Sequence, residues 1–280
     1  MKTLLTVVGD GQAVPLLETA LLVARRFSSR IVGLNAVTAE YAVVFGGEMG
    51  LTISSEVDRS VEQESESKRN EARNLFTSFM ERNHIPIGPR PADGPSAEWR
   101  EESGRQNLVV GTLGRAFDLL ILERPAKLNS LAEATLEDAL FESGRPVLMA
   151  PPEAPKSLGE RVLIAWNGSS ETARAVAFAM PFLERAKQVE VVSVEGGTVP
   201  GPLAGALAAT LSAHGIPVRA RHIAAEGRAA GAIYIEEARA MDADFMVKGA
   251  YTQSRLRQLI FGGATRHILS EAPIPVLLAH

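Results

Sequence analysis

The chain has no cysteine. That excludes disulfides, thiol catalysis, iron–sulfur clusters and Cys-based zinc sites together. Histidine is scarce as well: His84, His214, His222, His267 and His280 stand at no metal-ligand spacing, so no metal site is expected. No stretch reaches the roughly 18 apolar residues that cross a bilayer, and Met1 to Asp10 reads as a first strand rather than an export signal. Positive charge is not in excess either. The 29 Lys and Arg against 33 Asp and Glu leave a net charge of −4, which speaks against a nucleic-acid binder with a broad basic face. No Gly-x-x-x-x-Gly-Lys-Ser/Thr loop is present, and no nucleophile, base or metal set has a matching partner. The expectation is a soluble cytoplasmic protein without nucleic-acid or membrane partners, and not a dedicated enzyme.

What is present is organised in two halves. With 280 residues the chain has room for two ordinary domains. Pro151, Pro152 and Pro155 crowd the middle, where they supply neither ladder donors nor helix interior, so an exposed connection is expected. The flanking sequences echo each other in the same order. Lys2-Thr-Leu-Leu-Thr-Val-Val matches Arg161-Val-Leu-Ile-Ala-Trp, and His84-Ile-Pro-Ile matches His214-Gly-Ile-Pro-Val. Phe117-Asp-Leu-Leu-Ile matches Ala243-Asp-Phe-Met-Val, and Arg145-Pro-Val-Leu-Met-Ala matches Ile274-Pro-Val-Leu-Leu-Ala. Four ordered echoes read as a tandem duplication, with a first domain over 1–152, a linker over 153–160 and a second domain over 161–280.

In the second half, apolar runs predict strands at 162–166, 189–194, 218–223, 244–248 and 276–279. Helices are predicted between them at 171–184, capped by Ser169 or Ser170 and kinked or ended by Pro181, and at 228–241. Nearly continuous apolar strands alternating with helices imply a parallel sheet covered on both faces. In the first half, Val14, Leu17, Leu21 and Ala24 stripe an opening helix and 31–37 forms the second strand. A glycine-containing insertion covers 41–55, and 57–83 is a long charged helix. The third strand is placed at 97–101 in preference to 85–87.

The segment 244–280 is the most suggestive. Asp244-Phe-Met-Val-Lys reads as a buried strand that stops at Gly249, and Gly262-Gly263 precede the next helix. A glycine turn leading from a strand's C-terminal end into a helix is where open α/β sheets hold phosphates. The same glycines also suit turn and cap chemistry without a ligand. Asn167 equally suits a local turn with Gly168, and Arg255 and Arg257 suit solvated loop positions.

With these motifs the sequence resembles the universal stress protein family in its tandem two-domain form, most strongly over 162–169 and 244–279. The family pattern after the fourth strand is Gly, two residues, Gly, nine residues, Gly, then Ser or Thr. Gly249-Ala-Tyr-Thr252 and Gly262-Gly263 follow it in register, with Thr252, Gly263 and Asn167 departing from the usual glycine, hydroxyl and acidic residues. The resemblance implies two Rossmann-like α/β domains, each an open parallel five-stranded sheet with helices on both faces, arranged as an internal pseudo-dimer through their last strands. It also implies a stress-response regulatory protein that binds ATP or AMP with magnesium in the second domain and signals by conformation. Phosphates would rest on the amides of Gly249, Gly262, Gly263 and Ala264, beside Thr252, with Asn167 and Val194 near ribose and base. The first half has Glu123 and no glycine loop where phosphate would approach, so it is not expected to bind a nucleotide in this mode. The Ser-Gly-Gly run or paired histidines of related ATP-using enzymes are absent. Two alternatives stand beside this reading: a ligand-free scaffold for an unknown protein partner, and an apolar small-molecule pocket around Val43, Val44, Phe45, Met49 and Leu51. A homodimer is compatible with each.

Overall fold

The computed structural model describes residues 1–9, 13–37, 55–88, 93–125, 130–250 and 263–280. Residues 41–54 of the expected insertion and most of the glycine loop lie outside them.

Ten strands form one sheet in the order β3-β2-β1-β4-β5-β10-β9-β6-β7-β8. In the first half these are β1 (Thr3–Val7), β2 (Arg30–Val37), β3 (Ser96–Ser103), β4 (Leu119–Glu123) and β5 (Val147–Ala150). In the second they are β6 (Arg161–Ala165), β7 (Gln188–Val194), β8 (Val218–Ile223), β9 (Phe245–Gly249) and β10 (Val276–Ala279). Within each half every pairing is parallel, and the strand order repeats. The halves join through a single antiparallel pair, with Val276 opposite Met149 and Leu278 opposite Val147. The expected meeting of the two last strands is therefore present, and it merges two five-stranded arrays into one sheet.

The duplication repeats down to single hydrogen bonds. Asp118, just before β4, accepts from the backbone N–H groups of Lys2 and Thr3 at the start of β1. Asp244, just before β9, accepts in the same way from Glu160 and Arg161 at the start of β6, both at 2.9 Å. Each carboxylate satisfies amide donors that precede the ladder and ties the first strand of its half to the fourth.

Two hydrophobic layers cover the sheet, and each runs across the joint. One face packs under α1 (Ala13–Phe27), α2 (Ser55–Arg82), α5 (Ser170–Leu183) and α6 (Ala204–Ala213). The other packs under α3 (Gln106–Leu113), α4 (Leu131–Glu142), α7 (Ala230–Ala240) and α8 (Gly263–Glu271). At the joint on the first face, Phe27 meets Phe182 edge-on at 4.9 Å, and the Arg185 guanidinium lies 4.6 Å above the Phe27 ring. Arg26 donates to the Arg185 carbonyl at 2.9 Å while Arg185 donates to that of Arg26, a reciprocal exchange between the ends of α1 and α5. On the opposite face, Arg124 donates to the carbonyls of Ser270 and Ala272 at the end of α8, where a cation complements the helix dipole.

Some local expectations are corrected. Val14 is 47% exposed and lies off the buried stripe, which runs through Leu17, Leu21 and Ala24. The third strand, by contrast, is where it was expected, Ser96–Ser103 containing 97–101; of the rejected segment, Ile87 makes one isolated parallel bridge to Ala97. Helix α6 was not anticipated, because its Ala-rich sequence has only Ala204 and Leu211 buried and shows little apolar periodicity.

Candidate functional site

Strand β6 leads into α5 on one face of the sheet, while its neighbour β9 is followed by α8 on the other. Adjacent strands that depart to opposite faces leave a crevice outside their C-terminal ends, the usual ligand position in an open α/β sheet. Of the residues anticipated for a ligand, Asn167, Val194, Gly249, Gly263 and Ala264 stand at or beside the ends of elements on this side of the sheet, but several already have structural work.

Asn167 is buried, and its Oδ1 accepts from Thr172 Oγ1 at 2.6 Å and from Ser169 N at 3.2 Å. Ser169 in turn accepts from Thr172 N and caps α5, the role expected of one of the two serines. Asn167 therefore shapes the turn, with Gly168 at φ +82° and the Asn167 carbonyl accepting from Val199 N at 2.9 Å. Gly249 is explained by packing as well. A Cβ there would lie 2.4 Å from Thr172 N, so glycine lets the α5 N-terminus rest directly on the end of β9.

Val194 ends β7 with its side chain in the core, and its carbonyl accepts from Gly197 N at 3.0 Å. Trp166 is buried and donates through Nε1 to the Pro202 carbonyl at 2.8 Å. Tyr234 on α7 donates to the Trp166 carbonyl at 3.2 Å, and burial pushes its phenol up to about 12. It therefore remains a neutral donor.

Gly263 and Ala264 open α8, whose first amides have no partner within the helix. Because α8 connects the parallel strands β9 and β10, it begins at their C-terminal end, beside the crevice. It is held against α7 by Gly231, where a Cβ would come within 2.8 Å of His267 Cβ and 2.9 Å of the Ala264 carbonyl. Thr252 and Gly262 lie outside the described residues, as do Arg255 and Arg257. Two histidines have local partners: His222 Nδ1 lies 3.0 Å from Ser193 Oγ, and His280 Nδ1 lies 3.2 Å from the Ala250 carbonyl.

One residue at this point was read only as part of a strand. Lys248 is the penultimate residue of β9, is 4% exposed, and makes no hydrogen bond or ion pair with any described residue. Desolvation alone lowers its ammonium from 10.5 to about 8. Two sequence signals mark it: a lysine ends an apolar run, and no Asp or Glu occurs from Phe245 through Ser270, where Lys248, Arg255, Arg257, Arg266 and His267 all fall. In a chain of net charge −4 that is a local reversal of sign.

The first half differs at the equivalent place. Glu123 ends β4 exposed, and α4 begins at a cap where Ser130 accepts from Glu133 N at 3.2 Å. Between the halves, a cavity of about 400 Å³ is lined by Pro15, Leu16, Glu123, Arg124, Ala150 and Glu271, among others. Among the described residues no three His, Asp or Glu side chains gather to hold a metal ion, and no helix is long and apolar enough to cross a membrane.

The fold is thus that of a duplicated α/β protein whose two halves repeat the same strand order. Residues 195–280 match the model of the universal stress protein family. Similarity of fold extends over the whole length. A universal stress protein from Archaeoglobus fulgidus DSM 4304 aligns with a TM-score of 0.70 at 15% identity, covering 99% of this chain and 95% of that one. A putative universal stress protein from Pseudomonas aeruginosa UCBPP-PA14 aligns with a TM-score of 0.53 at 17% identity over 100% and 93% of the two chains. A functionally unknown protein from Pseudomonas aeruginosa PAO1 gives 0.54 at 17% identity over 100% and 92%. No curated protein matches the sequence.

Proposed function

We propose that this is a stress-response regulatory protein whose second half binds a phosphorylated ligand, ATP or AMP, and that it signals by conformation without turnover. The observation that carries this reading is the opening of α8 beside the β6–β9 crevice, within a segment that has cations and no carboxylates from Phe245 through Ser270. Helix-terminal amides and cationic side chains attract phosphate by the same electrostatics. Gly263 and Ala264 would supply the amides, joined by Gly262 and Thr252 from the preceding loop. Asn167 and Gly249 act one step removed, by setting the rim of the crevice against α5. The test is calorimetric titration of nucleotide-stripped protein with ATP and magnesium. Saturation at one site per chain is expected; two sites would implicate the first half, and no heat at millimolar ATP would remove the reading.

A second reading, a ligand-free scaffold for a protein partner, draws on the structural roles already found for Asn167 and Gly249. Under it, a partner would co-purify and be lost on deletion of 41–55, with no nucleotide bound. The apolar pocket suggested around Val43 to Leu51 lies outside the described residues.

A further inference from the structure

We propose that the cavity at the joint binds a small aromatic amine, in a place that the other half of the molecule fills with its own rings. It is separate from the β6–β9 crevice and does not depend on a nucleotide there.

The duplication shows what this place accommodates. Arg145-Pro146-Val147 and Ile274-Pro275-Val276 set the ends of α4 and α8 in register, so Phe141 corresponds to Ser270 and Glu142 to Glu271. Just beyond β5 and β10, Pro151 corresponds to His280. Counting from Asp118 and Asp244, Glu123 corresponds to Gly249 and Arg124 to Ala250. Beyond β10 the place is full. The His280 ring packs on Phe141 with centroids 4.5 Å apart, and its Nδ1 donates to the Ala250 carbonyl at 3.2 Å. Gly249 also lets α5 close on β9 there. Beyond β5 neither ring is present, and a glutamate stands in place of the glycine. A cavity of about 400 Å³ opens instead, between α1, the ends of β4 and β5, and the end of α8. Small-molecule pockets have volumes of roughly 300–1,000 Å³.

The wall favours a ligand that brings hydrogen-bond donors and positive charge. Pro15, Pro125, Pro151 and Pro152 line it, and a proline has no backbone N–H to offer. Ser270 Oγ donates its hydrogen to the His267 carbonyl at 3.1 Å, which leaves the oxygen as an acceptor. Arg124 donates through both terminal nitrogens to the Ser270 and Ala272 carbonyls, so its charge offsets the negative end of α8. Glu123 and Glu271 add two carboxylates to the lining. Buried Leu16 and Ala150, with the proline rings, supply apolar surface for an aromatic ring. A ring carrying a protonated amine meets both demands: the ring takes the place of His280 and Phe141, and the ammonium makes charge-assisted bonds to carboxylate.

The test is nitrogen–proton correlation NMR of the full chain, titrated with histamine and two controls. Imidazoleacetate keeps the ring and reverses the charge; butylamine keeps the charge and lacks the ring. Histamine is expected to bind saturably and to shift the amides of Leu16, Arg124 and Glu271, with both controls weaker by about threefold or more. Ser270→Phe, which restores one ring of the other half, should abolish the shifts. Glu271→Gln should weaken histamine by about threefold or more; circular dichroism checks that each variant is folded. No saturable shift at millimolar histamine, shifts confined to residues away from the joint, or equal affinity for imidazoleacetate would overturn the site. Histamine binding unchanged in both folded variants would overturn it as well. The ligand series on the unmodified chain decides the matter even where a variant fails to fold.

Discussion

At the scale of single residues, the crevice holds groups with opposed energetic signs. Lys248 destabilises the empty fold. Its ammonium is lowered to about 8 in the folded chain against 10.5 when unfolded, so between those values the unfolded chain binds more protons and stability rises with pH. Below 8 the full penalty applies, on the order of 3 kcal/mol. Lys248→Met is therefore expected to stabilise the protein by about that much at pH 7 and by little above pH 10.5; urea denaturation at the two pH values checks it. Gly249 has the opposite sign. With its absent Cβ site 2.4 Å from Thr172 N, Gly249→Ala should destabilise by about 1–3 kcal/mol through overpacking, measurable by the same method without any ligand. If Gly249→Ala is neutral, the close approach of α5 to β9 is not what holds glycine there.

At the scale of elements, the paired aspartates connect sequence to architecture. The matched Phe117-Asp and Ala243-Asp segments were legible as echoes, but only the fold shows that each carboxylate gathers the amides at the start of the first strand in its half. Around Asp118, burial works against ionisation, but the bonds from Lys2 and Thr3 outweigh it and hold the carboxyl below its usual value of 3.8. Its stabilising effect is therefore present above that value and lost as pH falls below it. Asp118→Asn should flatten the acid limb of the stability profile while leaving neutral-pH strand pairing in place. Acid unfolding followed by circular dichroism would show this; an unchanged acid midpoint would contradict it. Helix α5 was also legible, from its serine cap to its end two residues beyond Pro181, because both signals are local backbone chemistry. Helix α6 was not, since its burial is set by the sheet beneath it.

At the scale of the whole molecule, the antiparallel pairing of β5 with β10 removes two sheet edges that would otherwise invite further strands. The outer strands left exposed are charged: β3 carries Glu98, Arg100, Glu101 and Glu102, and β8 carries Arg219 and Arg221. Because both hydrophobic layers run across the joint, the two halves should unfold in one cooperative transition by calorimetry; two separated transitions would show that they are energetically independent. Phe182 is fully buried and packs on both Phe27 and Phe245. Phe182→Ala should cost about 3–5 kcal/mol and loosen the joint with it.

The sequence by itself determined the duplication and the parallel α/β class, because strand periodicity, prolines and repeated motifs act locally or in register; the meeting of the last strands was an expectation from family resemblance alone. The sequence also singled out the glycine turn after β9 as the place to test for a ligand. Only the tertiary structure decided what each residue does there. Asn167 and Gly249 look like ligand residues in the sequence and are engaged by the start of α5, while Lys248 looks like an ordinary strand position. The difference is physical: whether a polar group is partnered or a glycine crowded depends on atoms brought in from distant segments, and no local pattern records those contacts.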